Sequence, residues 1–261
     1  MITEINENAE LALNQVPSLE QELKRQIKGN PLYFNRFGDF PYDDWKPARQ
    51  RVEFANKYAK GNSLLDIGCG YYPVTSEIRM KRKVGLDVSV KAALKSEKEF
   101  HEFYFLDIAN TGKEVLKENL GTFDTVVAAE LLEHLENPAD VIEKIEHLLN
   151  PNGRALVTLP NGGSIAGIVD KMRNNGKYNR FKLYHRTHIS LLKIKEWERL
   201  FKRAGLDVYL FDFRPSDIVE GFPSETMPGW RAFCSLFPDF LAHQFYFVLE
   251  KPNNGRLGGG K

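Results

Sequence analysis

The chain has 261 residues, 42% of them hydrophobic, 27% charged and 12% aromatic, which places it among globular proteins and excludes disordered, collagen-like and disulfide-scaffold chains. Its 36 Lys and Arg against 35 Asp and Glu leave a formal charge of +1, so no whole-molecule field draws it to nucleic acid or to an anionic membrane. Two cysteines, Cys69 and Cys234, are too few and too far apart to staple a chain of this size, and neither an N-terminal apolar run nor a stretch long enough to span a bilayer is present, so a cytoplasmic location is expected.

In chain order, residues 1–61 are expected to form a helical cap. Ser18-Leu19-Glu20-Gln21 reads as a capping box, Leu19, Leu23 and Ile27 repeat on one helical face, and Gly29-Asn30-Pro31 ends that helix. An aromatic segment with Tyr33, Phe34, Phe37, Phe40, Tyr42 and Trp45 follows. Pro47 can then open a second helix that closes at Gly61.

From Ser63 the pattern changes to short apolar runs between helical stretches. Strands are predicted at Ser63 to Ile67, Lys83 to Leu86, Phe103 to Leu106, Phe123 to Ala128 and Arg154 to Leu159. Helices are predicted at Val74 to Met80, Val90 to Glu99, Lys113 to Asn119 and Pro138 to Leu149, the last with Asn137 as its N-cap. This alternation implies an α/β fold with a doubly wound parallel sheet. One domain is expected over 62–251, with insertions at about 161–190 and 214–243. The first insertion is longer than an ordinary connection and reads as a lid. A helix from Leu191 to Ala204 and strands at Leu206 to Phe213 and Gln244 to Glu250 complete the domain, and the Gly- and Asn-rich tail 252–261 is expected to be disordered.

The chemistry concentrates at the predicted strand ends. Asp66-Ile67-Gly68-Cys69-Gly70 follows the first strand, where an open α/β sheet binds ligands and where glycines let backbone approach a ligand. A dinucleotide fingerprint would need a third glycine where Pro73 stands, and the Asp66 carboxylate would repel a pyrophosphate but attract an ammonium group.

With Val84-Gly85-Leu86-Asp87, Phe105-Leu106-Asp107, the run Phe123 to Leu135, and Leu149 to Arg154 leading into Leu159-Pro160-Asn161, the chain resembles the class I S-adenosylmethionine-dependent methyltransferases, in the type 11 or ubiquinone-biosynthesis-like group. The resemblance covers Ser63 to about Gly205. It implies a Rossmann-like sheet of order 3-2-1-4-5-7-6 with strand seven antiparallel. It also implies that Asp66, Gly68 and Gly70 line the methionine part of S-adenosyl-L-methionine, that Asp87 accepts both ribose hydroxyls, that Asp107 and the Ile108 amide meet the adenine, and that Ala129 or Glu130 faces the sulfonium. Tyr72 departs from the glycine frequent at its position.

Other residues have rival readings. Cys69 reads as a small buried residue rather than a nucleophile, because no His or Lys stands beside it in sequence. Glu133 and His134 could form a metal or acid–base pair, yet in this family that segment shapes the loop after strand four. Lys171, Arg173, Lys177, Arg180, Lys182 and Arg186 oppose only Asp170 and interleave with Tyr178, Phe181 and Tyr184, which suits either a solvated loop or a lid over an anionic substrate. His185 and His188 are candidates for the general base, with Tyr184 a nearby hydrogen-bonding group, and no metal site is expected. The expected function is transfer of a methyl group from S-adenosyl-L-methionine to an oxygen, nitrogen or carbon nucleophile of a small, anionic acceptor. A non-catalytic cofactor-binding partner subunit and a nicotinamide oxidoreductase are the alternatives, and a homodimer stays open.

Overall fold

A computed structural model of the chain describes residues 47–89, 92, 95–165, 168, 172, 188–215 and 229–252. The expected helix near Ser18, the aromatic segment before Trp45, the six basic residues of the insertion, Tyr184, His185, residues 216–228 and the tail from 253 lie outside the described residues.

The sheet has seven strands: β1 (Ser63–Ile67), β2 (Arg82–Asp87), β3 (Glu102–Phe105), β4 (Phe123–Ala129), β5 (Leu149–Pro160), β6 (Asp207–Pro215) and β7 (Ala242–Glu250). Their order is β3-β2-β1-β4-β5-β7-β6, with β1 to β5 parallel and β7 antiparallel to both of its neighbours. The Rossmann-like sheet expected from the sequence is therefore the one observed. Parallel strands of this kind are apolar on both faces because helices cover both.

Alternate residues of each strand feed two separate cores. Leu65, Ile67, Val126 and Ala128 join Leu116, Val141, Ile145, Trp197 and Phe201 from α2 (Lys113–Leu120), α3 (Pro138–Leu148) and α4 (Ile194–Arg203). Leu64, Val127, Leu156 and Val248 point the other way, to Phe54 and Ala55 of α1 (Arg49–Tyr58) and to Val74 and Ile78. The helix at the end of the expected N-terminal cap thus packs directly on the sheet. Each fully buried side chain of this size contributes about 1.5–3 kcal/mol relative to exposure. In α4 the buried residues Ile194, Trp197 and Phe201 fall three and four apart, the stripe that binds a helix to a sheet.

Local signals set the boundaries. Asn137 accepts the Asp140 N–H at 3.4 Å with Pro138 in the first turn of α3, as the sequence indicates. The start of β1 is tied to β4 by Asp124, whose carboxylate accepts the N–H groups of Asn62 (2.7 Å) and Ser63 (3.1 Å) and is held below the usual carboxylate range by them.

Three expectations need correction. Val74 to Met80 forms turns rather than a helix: the Ile78 N–H reaches the Thr75 carbonyl (2.9 Å) three residues back, the Lys83 ammonium shares that carbonyl at 2.6 Å, and the Thr75 hydroxyl is held by Asp66. The helix expected from Leu191 begins at Ile194, where the Lys193 N–H donates to Glu196 Oε2 at 2.8 Å and fixes the first turn. The stretch ending at Glu99 closes as a 3-10 turn, Glu97–Glu99. In the aromatic C-terminal insertion, α5 (Trp230–Cys234) and α6 (Pro238–Leu241) bury Cys234 but leave Phe233, Leu236, Phe237 and Phe240 about half exposed or more. No helix among the described residues is long and apolar enough to cross a membrane.

Candidate active site at the carboxyl edge of the sheet

β1 ends in the turn Gly68-Cys69-Gly70. Gly68 and Gly70 have φ of +67° and +63°, a left-handed backbone that costs an L side chain roughly 1–2 kcal/mol. The turn is held by the Gly68 N–H on the Leu86 carbonyl (2.7 Å) and the Gly70 N–H on Asp87 Oδ2 (2.8 Å). A Cβ on Gly68 would lie 2.9 Å from Leu131 Cδ1, whereas one on Gly70 would meet nothing within 4 Å. Gly68 is closed in by protein, and Gly70 borders open space.

Asp66 and Asp87 stand on neighbouring strands beside this turn. Asp66 is buried and accepts the Thr75 hydroxyl at 2.7 Å. Burial raises its carboxyl to about 7; Thr75 and Lys83 pull it down and Asp87 pushes it up. Asp87 accepts the Gly70 N–H with one oxygen and the Ser89 N–H (2.8 Å) with the other. Burial raises it as well, against the lowering effect of those amides. Two crowded carboxyls make an environment that favours a cationic or hydroxyl-rich ligand. Cys69, between the glycines, is buried, and burial pushes its thiol well above the usual range. The Lys95 ammonium lies 4.6 Å from the Tyr72 ring centre, so Tyr72 is engaged at the rim of the turn.

At the end of β3, Asp107 caps its own turn, accepting the Ala109 N–H (2.9 Å) and the Asn110 side-chain amide (2.7 Å). Ile108 is buried, and its carbonyl and that of Ala109 accept the Lys144 ammonium at 2.9 and 3.0 Å. This buried lysine of α3, also paired with Asp140 at 2.6 Å, fixes the loop.

β4 ends at Ala129, opposite Thr158, and continues into Glu130, whose φ of +53° is unusual for a residue with a side chain. Backbone and side chain both hold it there: the Glu130 N–H donates to the Thr158 carbonyl (3.0 Å), and the Thr158 hydroxyl donates to Glu130 Oε1 (2.9 Å). The buried Arg51 of α1 brings its guanidinium to 3.9 Å from Glu130 Oε2.

The following 3-10 turn, Leu132–His134, meets a segment more than fifty residues away. The N–H groups of Ile189 and Ser190 donate to the Glu133 carbonyl (2.8 and 2.9 Å), and the Ser190 hydroxyl donates to the Leu135 carbonyl (2.7 Å). His188 is thereby set beside Glu133 and His134. Glu133 Oε1 is 3.9 Å from Nε2 of each histidine, and the two rings lie 4.8 Å apart, edge to face. The Glu133 side chain is fully buried, and neither of its oxygens has a hydrogen-bond partner among the described residues. Burial, and next the charge of Glu130, push its carboxyl well up.

The cofactor positions read from the sequence thus gather along one edge: Gly70 is hydrogen-bonded to Asp87, Gly68 is held on the Leu86 carbonyl, Asp66 stands beside them at the end of β1, and Asp107, Ile108, Ala129 and Glu130 lie at the next strand ends. His188, from the segment between β5 and α4, packs against the loop after β4. The sequence reading passed over Arg51, Thr75, Lys83, Lys144 and Thr158, which orient these groups. Charge inside a buried helical or strand stripe, as at Lys83 and Lys144, was the available signal.

A family described as a methyltransferase domain matches residues 42–210, well over half of the chain, and the chain belongs to that family. Its sheet is that of the class I S-adenosylmethionine-dependent methyltransferases. The ubiquinone biosynthesis O-methyltransferase of Nitrosococcus oceani is 31% identical over 156 residues, 57% of this chain and 62% of that protein, so the chain spans under two thirds of this relative. Among solved structures, an S-adenosylmethionine-dependent methyltransferase of Thermotoga maritima superposes with a TM-score of 0.54 at 12% identity, covering 89% of this chain and 99% of the other. The plantazolicin methyltransferase BamL, solved with a desmethyl substrate analogue and S-adenosylhomocysteine, gives 0.53 at 15% identity, covering 89% and 97%. At those identities the likeness is one of fold.

Proposed function

We propose that the protein transfers the methyl group of S-adenosyl-L-methionine to an oxygen of a small acceptor. The observation that carries this reading is the row of strand-end groups around Gly70, where backbone opens onto free space beside Asp87 and Asp66. The cofactor's demands fit these residues: the Asp87 carboxylate takes the amides of Gly70, Ser89 and Val88, and its about four lone-pair sites leave room for a ribose hydroxyl. The buried Asp66 carboxyl suits an ammonium group, and Asp107 with the Ile108 amide suits an adenine edge.

When bound, S-adenosyl-L-methionine supplies an electrophilic methyl group on sulfur. The chain's own task is to hold an acceptor oxygen in line with that methyl and to exclude water. Glu130 would face the sulfonium, and the segment carrying Tyr184, His185 and His188 would supply acceptor contacts, including a proton-accepting group. The preference for oxygen rests on the O-methyltransferase relatives, and an anionic acceptor is inferred from the six basic residues between Lys171 and Arg186. In domain terms we take 62–251 as the methyltransferase unit, with 1–61 preceding it and contributing α1 to its covering layer.

Calorimetry tests the cofactor assignment. S-adenosyl-L-methionine should bind and NAD should not. Asp87→Ala, in a folded variant, should weaken binding by about 1.5–3 kcal/mol, roughly 10- to 150-fold. Tighter NAD binding or an unchanged Asp87→Ala affinity would sink it. Methyl-labelled cofactor in a cell extract then identifies the acceptor by the mass of its product. Absence of turnover despite cofactor binding would mark a non-catalytic subunit.

A further inference from the structure

We infer that Glu133, His134 and His188 form a binding site for one divalent transition-type cation, such as Zn2+ or Mn2+, on the acceptor side of the carboxyl edge. The site's existence rests on its own geometry, and only its use in methyl transfer rests on the function proposed above. One ligand atom from each of the three residues lies within 4.8 Å of the others. Both histidine Nε2 atoms stand 3.9 Å from Glu133 Oε1. Ligand atoms at tetrahedral angles with metal bonds of about 2.0–2.1 Å are roughly 3.3 Å apart, so closure around a cation shortens the two Glu133–histidine spacings by about 0.6 Å and the widest spacing by up to about 1.5 Å.

The second observation is the Glu133 side chain. It is fully buried and aimed between the two imidazoles, and neither oxygen has a hydrogen-bond partner among the described residues. Buried polar groups are nearly always satisfied, and an exception calls for an explanation. A hydrogen bond between Glu133 and either histidine is not the answer, since 3.9 Å is outside hydrogen-bonding range. A cation bridging the carboxylate and the two rings would satisfy the Glu133 oxygens.

The donor set selects the kind of ion. Mg2+ and Ca2+ favour oxygen ligands, whereas two imidazoles with one carboxylate suit Zn2+, Mn2+ or Co2+. Three protein ligands leave a position for an outside oxygen, which is where an oxygen-bearing acceptor would sit. Glu130 is not counted among the ligands, because the Thr158 hydroxyl engages one of its oxygens and the Arg51 guanidinium lies near the other. The ligands come from two distant segments, but the Ile189 and Ser190 amides on the Glu133 carbonyl hold them in register before any ion arrives.

The test uses the untagged full chain, dialysed against chelator. Calorimetric titration with Zn2+ alone should show one equivalent bound at micromolar affinity or better, and Co2+ should develop visible d–d absorption. Glu133→Gln and His188→Asn should each weaken Zn2+ binding by at least about 100-fold and abolish the Co2+ band, while S-adenosyl-L-methionine affinity stays within about twofold. Thermal melts establish that the variants are folded, and His188→Asn, on a partly exposed loop, serves if Glu133→Gln is not. No saturable binding of Zn2+, Mn2+ or Co2+ below about 1 mM, or binding that persists in both variants, overturns the proposal. Titration of the same samples with S-adenosyl-L-methionine keeps the two readings apart: cofactor binding without cation binding removes the cation site alone.

Discussion

The two halves of the carboxyl edge solve their polar problems differently. Around the ends of β1 to β3, most polar groups are satisfied by neighbours close in sequence: Thr75 bonds Asp66 nine residues away, Gly70 bonds Asp87 seventeen away, and Asp107 caps its own turn, with Lys144 the long-range exception on the Ile108 carbonyl. After β4, the groups come together over long separations, with Ser190 bonding Leu135 across 55 residues, and the central carboxylate of Glu133 has no hydrogen bond among the described residues. The first region is complete and shaped before any ligand arrives. The second is assembled from distant pieces around a buried carboxylate. Short-range and long-range assembly are thus divided between the two sides of the carboxyl edge.

The sharpest way to break this contrast is at the glycines. Ala at either position bears the cost of a left-handed φ, roughly 1–2 kcal/mol. Only at Gly68 does the new Cβ also press on protein, on Leu131 Cδ1 of the loop after β4, while at Gly70 it enters open space. Gly68→Ala should therefore lower the melting temperature more than Gly70→Ala. Gly70→Ala should weaken S-adenosyl-L-methionine binding more, by about 100-fold or greater, because the added methyl occupies the ligand's approach together with the backbone strain. Melting curves and calorimetry on both variants decide the matter, and tight binding by Gly70→Ala would show that the open space is not the cofactor's.

Asp66 offers a second, smaller effect with a sign that can be checked. Its carboxyl titrates near 7 in the unliganded fold against 3.8 in the unfolded chain. Between those values the folded state holds a proton that the unfolded state has released. The stabilisation from this group is thus fully present below 3.8 and is lost as pH rises through about 7. At about 1.4 kcal/mol per pKa unit the interval is worth a few kcal/mol. A cofactor ammonium reverses the preference by favouring the carboxylate. Affinity for S-adenosyl-L-methionine should then rise up to about tenfold per pH unit between pH 5 and 7 and level off above it, while the stability contribution runs the opposite way. Asp66→Asn should flatten both dependences. Parallel pH profiles of affinity and stability in the wild type would refute the ammonium contact.

The same division governs what the sequence revealed. The sheet was legible because apolar runs and helical stretches alternate at the right lengths, and Asp66, Asp87 and Asp107 were legible because each follows such a run directly. Neither cue depends on distant residues. The turn at Val74 departs from the helix expected between two strands because nothing local in the sequence shows that Lys83 and Asp66 anchor Thr75 there. Arg51 was passed over because a residue of α1 is not visibly near Glu130 until the helix packs on the sheet. His188 was singled out as a base candidate from its place in the chain, but its neighbourhood with Glu133 and His134 depends on two amides reaching one carbonyl across the loop. Short-range chemistry is written in the local pattern, and long-range chemistry waits for the fold.

The smallest effect is expected at Cys69, and its smallness is informative. This thiol sits between the two glycines of the turn after β1, yet it is 7% exposed, and burial, next to the charges of Asp87 and Asp66, keeps it protonated. A thiolate is the reactive form, so a nucleophilic role would need a lowered pKa, the reverse of what the site provides. Its closest polar contact, Ser96 Oγ at 3.9 Å, is too weak to activate it. Cys69→Ala should therefore keep cofactor affinity within about twofold and leave turnover intact, at a stability loss of about 1 kcal/mol for the small void. In the native protein, iodoacetamide at pH 8 should leave Cys69 unmodified over times that fully alkylate the denatured chain, as read by peptide mass. Rapid native alkylation, or loss of turnover in a folded Cys69→Ala variant, would mean that the turn opens far enough to expose the thiol, and the preorganised half of the site would then have to be counted as mobile too.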